Sequence, residues 1–262
     1  EDEAEVLLRD IGEWHEEAQR WEQHLQEEEQ KLLLMAPEQR LQKIVWTLRE
    51  REALLTPDQI VQLHIEKVSL SRISKGQASV EHVAALVELS RVYMAQQRPQ
   101  EALRHLQNAE QFLDLLFSNP SNSRAVANAK RSAKELAVTL FLEMGSVSLQ
   151  LKRLVLGEEA LLTGIHYCGL PNQPPLLHHQ CALWLTLGKV YGQMERYVDS
   201  VEALHKALSF ADQFSGEKDT SEEAVIYFEM ARVYKASEET EFALDMYGRA
   251  VEAFKAVRMR EE

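Results

Sequence analysis

Residues Trp184-Leu185-Thr186-Leu187-Gly188-Lys189-Val190-Tyr191 place Trp184, Leu187, Gly188 and Tyr191 at spacings of three and four, which is one face of a helix. Nine positions further on come Ser200, Leu204 and Ala207, again on one helical face. The same seven slots recur three more times. They read Leu86, Leu89, Ser90, Tyr93, Ala102, Leu106, Ala109; then Phe141, Met144, Gly145, Ser148, Gly157, Leu161, Gly164; then Tyr227, Met230, Ala231, Tyr234, Ala243, Tyr247, Ala250. Small residues at Ser90, Gly145, Gly188 and Ala231 predict close approach of a second helix, which answers with Ala102, Gly157, Ser200 and Ala243. Short polar turns at 96–99, 194–197 and 236–240 separate the halves. The unit is a helix–turn–helix, and its repetition predicts an all-α solenoid, an α-α superhelix.

Trp184-x-x-Leu187-Gly188-x-x-Tyr191, with small residues and a large one further on, resembles the tetratricopeptide repeat (TPR). The period is longer than that repeat's usual length: Gly145 to Gly188 and Gly188 to Ala231 are each 43 positions, and Ser90 to Gly145 is 55. The extra residues fall in 118–133, where Asn119-Pro120-Ser121-Asn122-Ser123 reads as a polar surface loop. A long period lengthens the helices, a format similar to the repeats of kinesin light chain. Gly76 and Gly216, each followed by acidic residues ahead of the next helix, are consistent with it. Leu70-Ser71-Arg72-Ile73, Gly76 and Leu89-Ser90-Arg91-Val92-Tyr93 also resemble the layout of the tetratricopeptide repeat protein 23 family. These resemblances imply a non-enzymatic holder of other proteins in cytoskeletal or ciliary company, such as an axonemal or ciliary-base assembly.

Composition narrows the function classes. The net charge of −13 is concentrated at the front, where residues 1–30 hold twelve Asp and Glu against Arg9 and Arg20. No Lys/Arg surplus exists to displace counterions from a duplex or to hold anionic lipid, so nucleic acid is not an expected partner. No apolar run is long enough to insert into a membrane. Two Cys fit a reducing compartment, hence a cytoplasmic setting. The chain does not begin with Met, lacks a signal peptide, and has a last helix ending at Met259 without a polar cap. Those features predict a piece of a longer protein, held in a multi-protein complex.

Residues 1–55 form an expected unit of acidic, amphipathic, coiled-coil-like helices. Leu7, Ile11, Trp14, Ala18, Trp21 and Leu25, then Leu32 and Met35, follow a heptad seam that ends near Pro37. Paired Trp on that seam predicts a face buried against a helix of this chain or of a partner; a lid over the groove and a solvated cap are the other readings. A second amphipathic helix carries Leu41, Ile44, Val45, Leu48 and Leu55. Residues 56–262 form the expected array. Its degenerate leading helix spans 57–74, opened by Thr56 as cap and Pro57 in the first turn, and repeats follow at about 80–117, 134–168, 177–214 and 221–258.

Catalytic motifs for nucleotide, metalloprotease or hydrolase chemistry do not occur, so neither an enzyme nor a cofactor is expected. His166, Cys168, His178, His179 and Cys181 gather imidazoles and thiols within sixteen residues, which zinc could use. The alternative reading is two buried thiols and exposed histidines around a Pro-rich linker. The aromatic slots and Gly145 and Gly188 read as packing positions. Functional residues are expected on the concave wall, formed by the first helix of each pair. There the resemblance to TPRs implies Val87 and Arg91, Leu142 and Ser146, Leu185 and Lys189, Phe228 and Arg232, with Met94 and Lys235 nearby. That set predicts an apolar stripe beside positive charges, suited to acidic or amphipathic helical segments of other proteins. It lacks the Lys and Asn of a chaperone-tail clamp. A chaperone or motor adaptor and a metal-dependent regulatory module remain alternatives.

Overall fold

The computed structural model describes Trp14 and residues 19–23, 34–118, 124–169, 177–214 and 220–261. Among them every regular element is a helix. The ten longest are α1 (Pro37–Arg51), α2 (Pro57–Lys75), α3 (Val80–Ala95), α4 (Pro99–Ser118), α5 (Arg124–Gln150), α6 (Leu154–Cys168), α7 (Leu177–Gln193), α8 (Tyr197–Phe214), α9 (Thr220–Ala236) and α10 (Thr240–Glu261). A 3-10 turn at Glu52–Leu54 links α1 to α2. Local chemistry explains the boundaries. Thr56 caps α2 by accepting from the Gln59 N–H, the Gln59 side chain answers the Thr56 N–H, and Pro57 fills the first turn. Gly76 ends α2 at φ +89°, and Ser79 caps α3 through the His82 N–H.

Helices pack as the hairpins α3/α4, α5/α6, α7/α8 and α9/α10, and each hairpin stacks on the next. First helices also touch in succession, α3 to α5 to α7 to α9, which makes them the inner wall of the superhelix. The four hairpin turns share one conformation. Gln97, Lys152, Glu195 and Glu238 all adopt left-handed backbone at φ 56–66°, although none is Gly. In each turn the next residue's N–H reaches back to an equivalent carbonyl: Arg98 to Tyr93, Arg153 to Ser148, Arg196 to Tyr191 and Glu239 to Tyr234, at 2.8–3.0 Å. These bonds satisfy end-of-helix carbonyls and offset the left-handed cost of about 1 kcal/mol.

The small slots are where the hairpins close. A Cβ added at Gly188 would lie 2.7 Å from Leu204 Cγ, and one at Gly145 would lie 2.5 Å from Leu161 Cγ. The Ser200 hydroxyl, fully buried, donates to the Gly188 carbonyl at 2.6 Å, so the α7 and α8 backbones are in near contact. Around these crossings Leu106, Leu161, Leu187 and Leu204 are completely buried.

Two features depart from the expectations. Helix α5 begins at Arg124, ahead of the expected repeat start at about 134, because 124–133 is rich in Ala, a strong helix former. Residues 119–123 lie outside the described residues. Of the proposed seam, Leu7, Ile11, Ala18, Leu25 and Leu32 also lie outside them. Trp14 and Trp21 are 75% and 61% exposed, so the array does not supply the expected burial. Among the described residues no helix is long and apolar enough to cross a membrane.

Buried polar groups make pH and charge part of the stability. His64, His82, His105 and His179 are all held below the ordinary histidine value of 6.5, in each case chiefly by burial. Lys134 is 1% exposed and its Nζ has no hydrogen-bond partner.

Gly188→Ala should destabilise the chain by about 1 kcal/mol, because the clash with Leu204 outweighs the helix-propensity gain of about 1 kcal/mol. In a Leu204→Ala background the same change should become stabilising, a sign reversal visible in urea denaturation. Lys134→Met should raise the urea midpoint, gaining about 1–3 kcal/mol by removing a buried polar group that has no hydrogen-bond partner. Acidification should destabilise. The unfolded histidines take up protons near pH 6.5 while the folded ones resist, so the unfolded state binds more protons and stability falls as pH drops from about 7.5 to about 5.5. A midpoint that stays level or rises over that interval would contradict this linkage.

Candidate partner-binding groove

The inner wall carries a ladder of ion pairs between successive first helices. Arg91 on α3 meets Glu143 on α5 at 2.7 Å, and Lys189 on α7 meets Glu229 on α9 at 3.6 Å. A further ion pair joins Lys67 on α2, the helix ahead of the first hairpin, to Glu88 on α3. Glu88, Glu143 and Glu229 occupy one recurring slot, whose fourth occupant is Thr186. At that uncharged rung Ser146 and Thr186 turn their hydroxyls onto their own helices, donating to the Leu142 and Ala182 carbonyls at 2.9 and 2.8 Å. Arg232 donates to Glu229 at 2.9 Å, so this carboxylate serves both Lys189 and Arg232.

This arrangement changes the expected groove in two ways. The cations Arg91, Lys189 and Arg232 do stand on the inner wall, but each has a carboxylate partner: the acidic slot of the next first helix reaches Arg91 and Lys189, and Arg232 pairs with Glu229 of its own helix. The apolar residues one step past the aromatic slot do not form a floor beside them. Val87 is 2% exposed and belongs to the core between α3, α4 and α5. Leu142 and Leu185 are half-buried against the second helices, in clusters with Leu161 and with Leu204. Phe228 is more exposed but sets its ring edge-on to Tyr247 of α10 at 5.9 Å. The helical twist turns that position toward the hairpin's own second helix. Met94 is half-buried against the first cluster, and Lys235 is exposed.

What the structure brings together instead is a cleft of about 170 Å³ toward the C-terminal half of the groove. Leu149 of α5, Lys189 and Gly192 of α7, and Glu229, Arg232 and Val233 of α9 line it. Its notch sits at Gly192, where the equivalent positions are Met94, Leu149 and Lys235. A Cβ there would touch the Ser200 hydroxyl and Val233 Cγ2, both at 3.4 Å, so the missing side chain leaves open space above a tight base. Carrying the 43-residue period forward from Glu143 and from Leu149 would have pointed to both Glu229 and Gly192. Two cations share one carboxylate, which leaves the cleft with a positive surplus.

The histidines and cysteines do not assemble comparably. His166 and His178 are exposed and His179 is half-buried, whereas Cys168 and Cys181 are free and buried. Burial pushes the Cys168 thiol up to about 11, and burial with the neighbouring Glu222 pushes Cys181 up to about 12. Both therefore hold their protons at neutral pH, which disfavours metal ligation and nucleophilic roles. Among the described residues no three His, Cys, Asp or Glu side chains converge as a metal site would.

Comparison with known proteins agrees with this architecture. Residues 179–256 match the sequence profile of the tetratricopeptide repeat family. No curated protein is significantly similar in sequence. Among solved structures, TPR-like repeats of a Podosopora anserina protein of kinesin-light-chain type superpose with a TM-score of 0.62 at 16% identity, over 86% of this chain and 99% of that one. BtubC (BKLC) from P. vanneervenii gives 0.55 at 14% identity, over 86% and 93% of the two chains. MamA gives 0.54 at 16% identity, over 85% and 94%. At such identities the likeness concerns the fold. Residues 179–256 are tetratricopeptide repeats, and the chain that carries them folds as a tetratricopeptide-repeat-like solenoid.

Proposed function

We propose that this chain is a non-enzymatic adaptor that holds an acidic or amphipathic segment of a partner protein in the groove between α5, α7 and α9, within a cytoskeletal or ciliary assembly. The observation that carries the reading is the Gly192 cleft. One partner side chain enters the notch beside Leu149 and Val233, while a carboxylate on the same segment takes up the positive surplus of Lys189 and Arg232. Because those cations are already paired with Glu229, the groove discriminates by geometry, and a generic polyanion gains little there. The long-period repeat format, similar to kinesin light chain, supports a cytoskeletal setting. Two free buried cysteines fit the reducing cytoplasm.

Selection of a displayed random peptide library on the purified chain should enrich sequences with an acidic residue near an apolar one. Lys189→Glu with Gly192→Trp should abolish that enrichment while leaving the helical signal in circular dichroism unchanged. Proximity labelling in ciliated cells should recover cytoskeletal or ciliary proteins with the native chain and lose them with the same pair of substitutions. Enrichment and labelling that ignore both substitutions would contradict the proposal.

A further inference from the structure

A cavity of about 330 Å³ opens between α2 and α4, with α3 at its base. Arg72 of α2, His82 and Leu86 of α3, and His105, Asn108 and Phe112 of α4 line it. Helix α1 precedes these elements and α5 follows them, so the cavity is internal to the array. The repeat register shows why the space is there. Leu86 holds the slot of Phe141, Trp184 and Tyr227. In those three repeats the ring meets the second helix of its own hairpin. Phe141 stacks on Tyr167 at 5.6 Å, Lys206 lies over Trp184 at 4.6 Å, and Arg249 lies over Tyr227 at 6.0 Å. Tyr167 occupies the slot of Phe112, and Lys206 and Arg249 occupy that of Asn108. The neighbours of the ring are therefore present in the first hairpin, and the ring is not. Leu86 cannot fill a volume that Phe, Trp or Tyr fills in the other repeats.

The polar groups around that gap are equally out of pattern. His105 stands where the later repeats have Ala160, Ala203 and Met246, and its buried Nδ1 has no hydrogen-bond partner. His82 stands where the next repeat has Ala137, and it is 2% exposed. Burial holds both imidazoles below the ordinary histidine value, so both are neutral at pH 7. His82 Nδ1 lies 3.2 Å from the Val68 carbonyl, which can only accept. Nδ1 therefore carries the proton, and Nε2 keeps a lone pair. Arg72 is exposed, and among the described residues no carboxylate lies within 4.0 Å of it. The cavity thus combines a ring-sized gap, one full positive charge, an accepting nitrogen and a buried nitrogen that lacks a partner.

We propose that this cavity binds a small aromatic carboxylic acid that carries a hydroxyl or N–H on its ring. The ring takes the vacant aromatic place and stacks on Phe112, as Phe141 stacks on Tyr167. The carboxylate pairs with Arg72, and the ring donor bonds a lone-pair nitrogen of the two imidazoles. A monoanion matches the site better than a phosphate ester, because Arg72 is the one full cation among the described residues that line it. The site lies on α2, α3 and α4 and does not depend on a ligand in the Gly192 notch.

The probe is 4-hydroxyphenylacetate, titrated into the full chain and followed by isothermal titration calorimetry. One-site saturation with a Kd at or below ~1 mM is expected. Phenylacetate, which lacks the ring donor, and tyramine, which lacks the carboxylate, should each bind at least ~5-fold more weakly. Leu86→Phe supplies the ring that Phe141 supplies one repeat on. It should remove binding and leave the urea midpoint at or above that of the native chain. Arg72→Gln, at an exposed position, should weaken binding at least ~10-fold with the helical signal unchanged. Lys189→Glu with Gly192→Trp should leave binding as it is. No saturable binding, equal binding to the Leu86→Phe or Arg72→Gln chain, or equal affinity for phenylacetate or tyramine would overturn the proposal. So would loss of binding in the Lys189→Glu/Gly192→Trp chain, which would put the site in the groove. Binding of a peptide that ends in Tyr, with no binding of the free acid, would overturn it too, since the occupant would then be the end of a protein chain.

Discussion

Everything in this molecule follows from how near two helix backbones can come. At Gly188 and Ser200 nothing larger than a hydroxyl separates them, and that hydroxyl bonds the facing carbonyl. A medium-sized side chain at either slot would push the hairpin apart, since the Leu204 side chain already fills the remaining space. The same closeness recurs at Gly145 against Leu161, so successive hairpins have nearly the same shape and stack with nearly the same step. Repeated left-handed turns at Gln97, Lys152, Glu195 and Glu238 keep that shape constant at the other end of each hairpin.

A constant step is what aligns side chains on the inner wall. Because first helices follow one another in register, the cation of one reaches the acidic slot of the next, as Arg91 reaches Glu143 and Lys189 reaches Glu229. Paired charges of this kind add little to stability where they are half exposed. Their consequence is for recognition: the wall is patterned, with a local positive surplus only where Arg232 joins Lys189 on Glu229. The interruption of the ladder at Ser146 and Thr186, and the missing side chain at Gly192, make one stretch of the groove different from the rest.

The fold was legible in the sequence because the small slots recur, and only a close-packed helical pair requires Gly, Ala or Ser at such intervals. The groove was legible in part. The slot of Arg91, Ser146, Lys189 and Arg232 does lie on the inner wall. The slot four residues before it, that of Val87, Leu142, Leu185 and Phe228, does not: it lies only about 40° round the helix, yet its side chains pack into the hairpin. Periodicity within one helix cannot separate these two faces, since both border apolar neighbours. The acidic partners at Glu143 and Glu229 become visible only when helices 43 or more residues apart are compared, and the start of α5 at Arg124 was obscured by the polar run before it.

The most direct measurement is a crystal structure of the chain at a resolution that places side-chain oxygens. The account predicts Ser200 Oγ within hydrogen-bonding distance of the Gly188 carbonyl, with Leu204 packed over Gly188 and no other side chain between that hydroxyl and the carbonyl. Helices separated there by an intervening side chain or by water would contradict it.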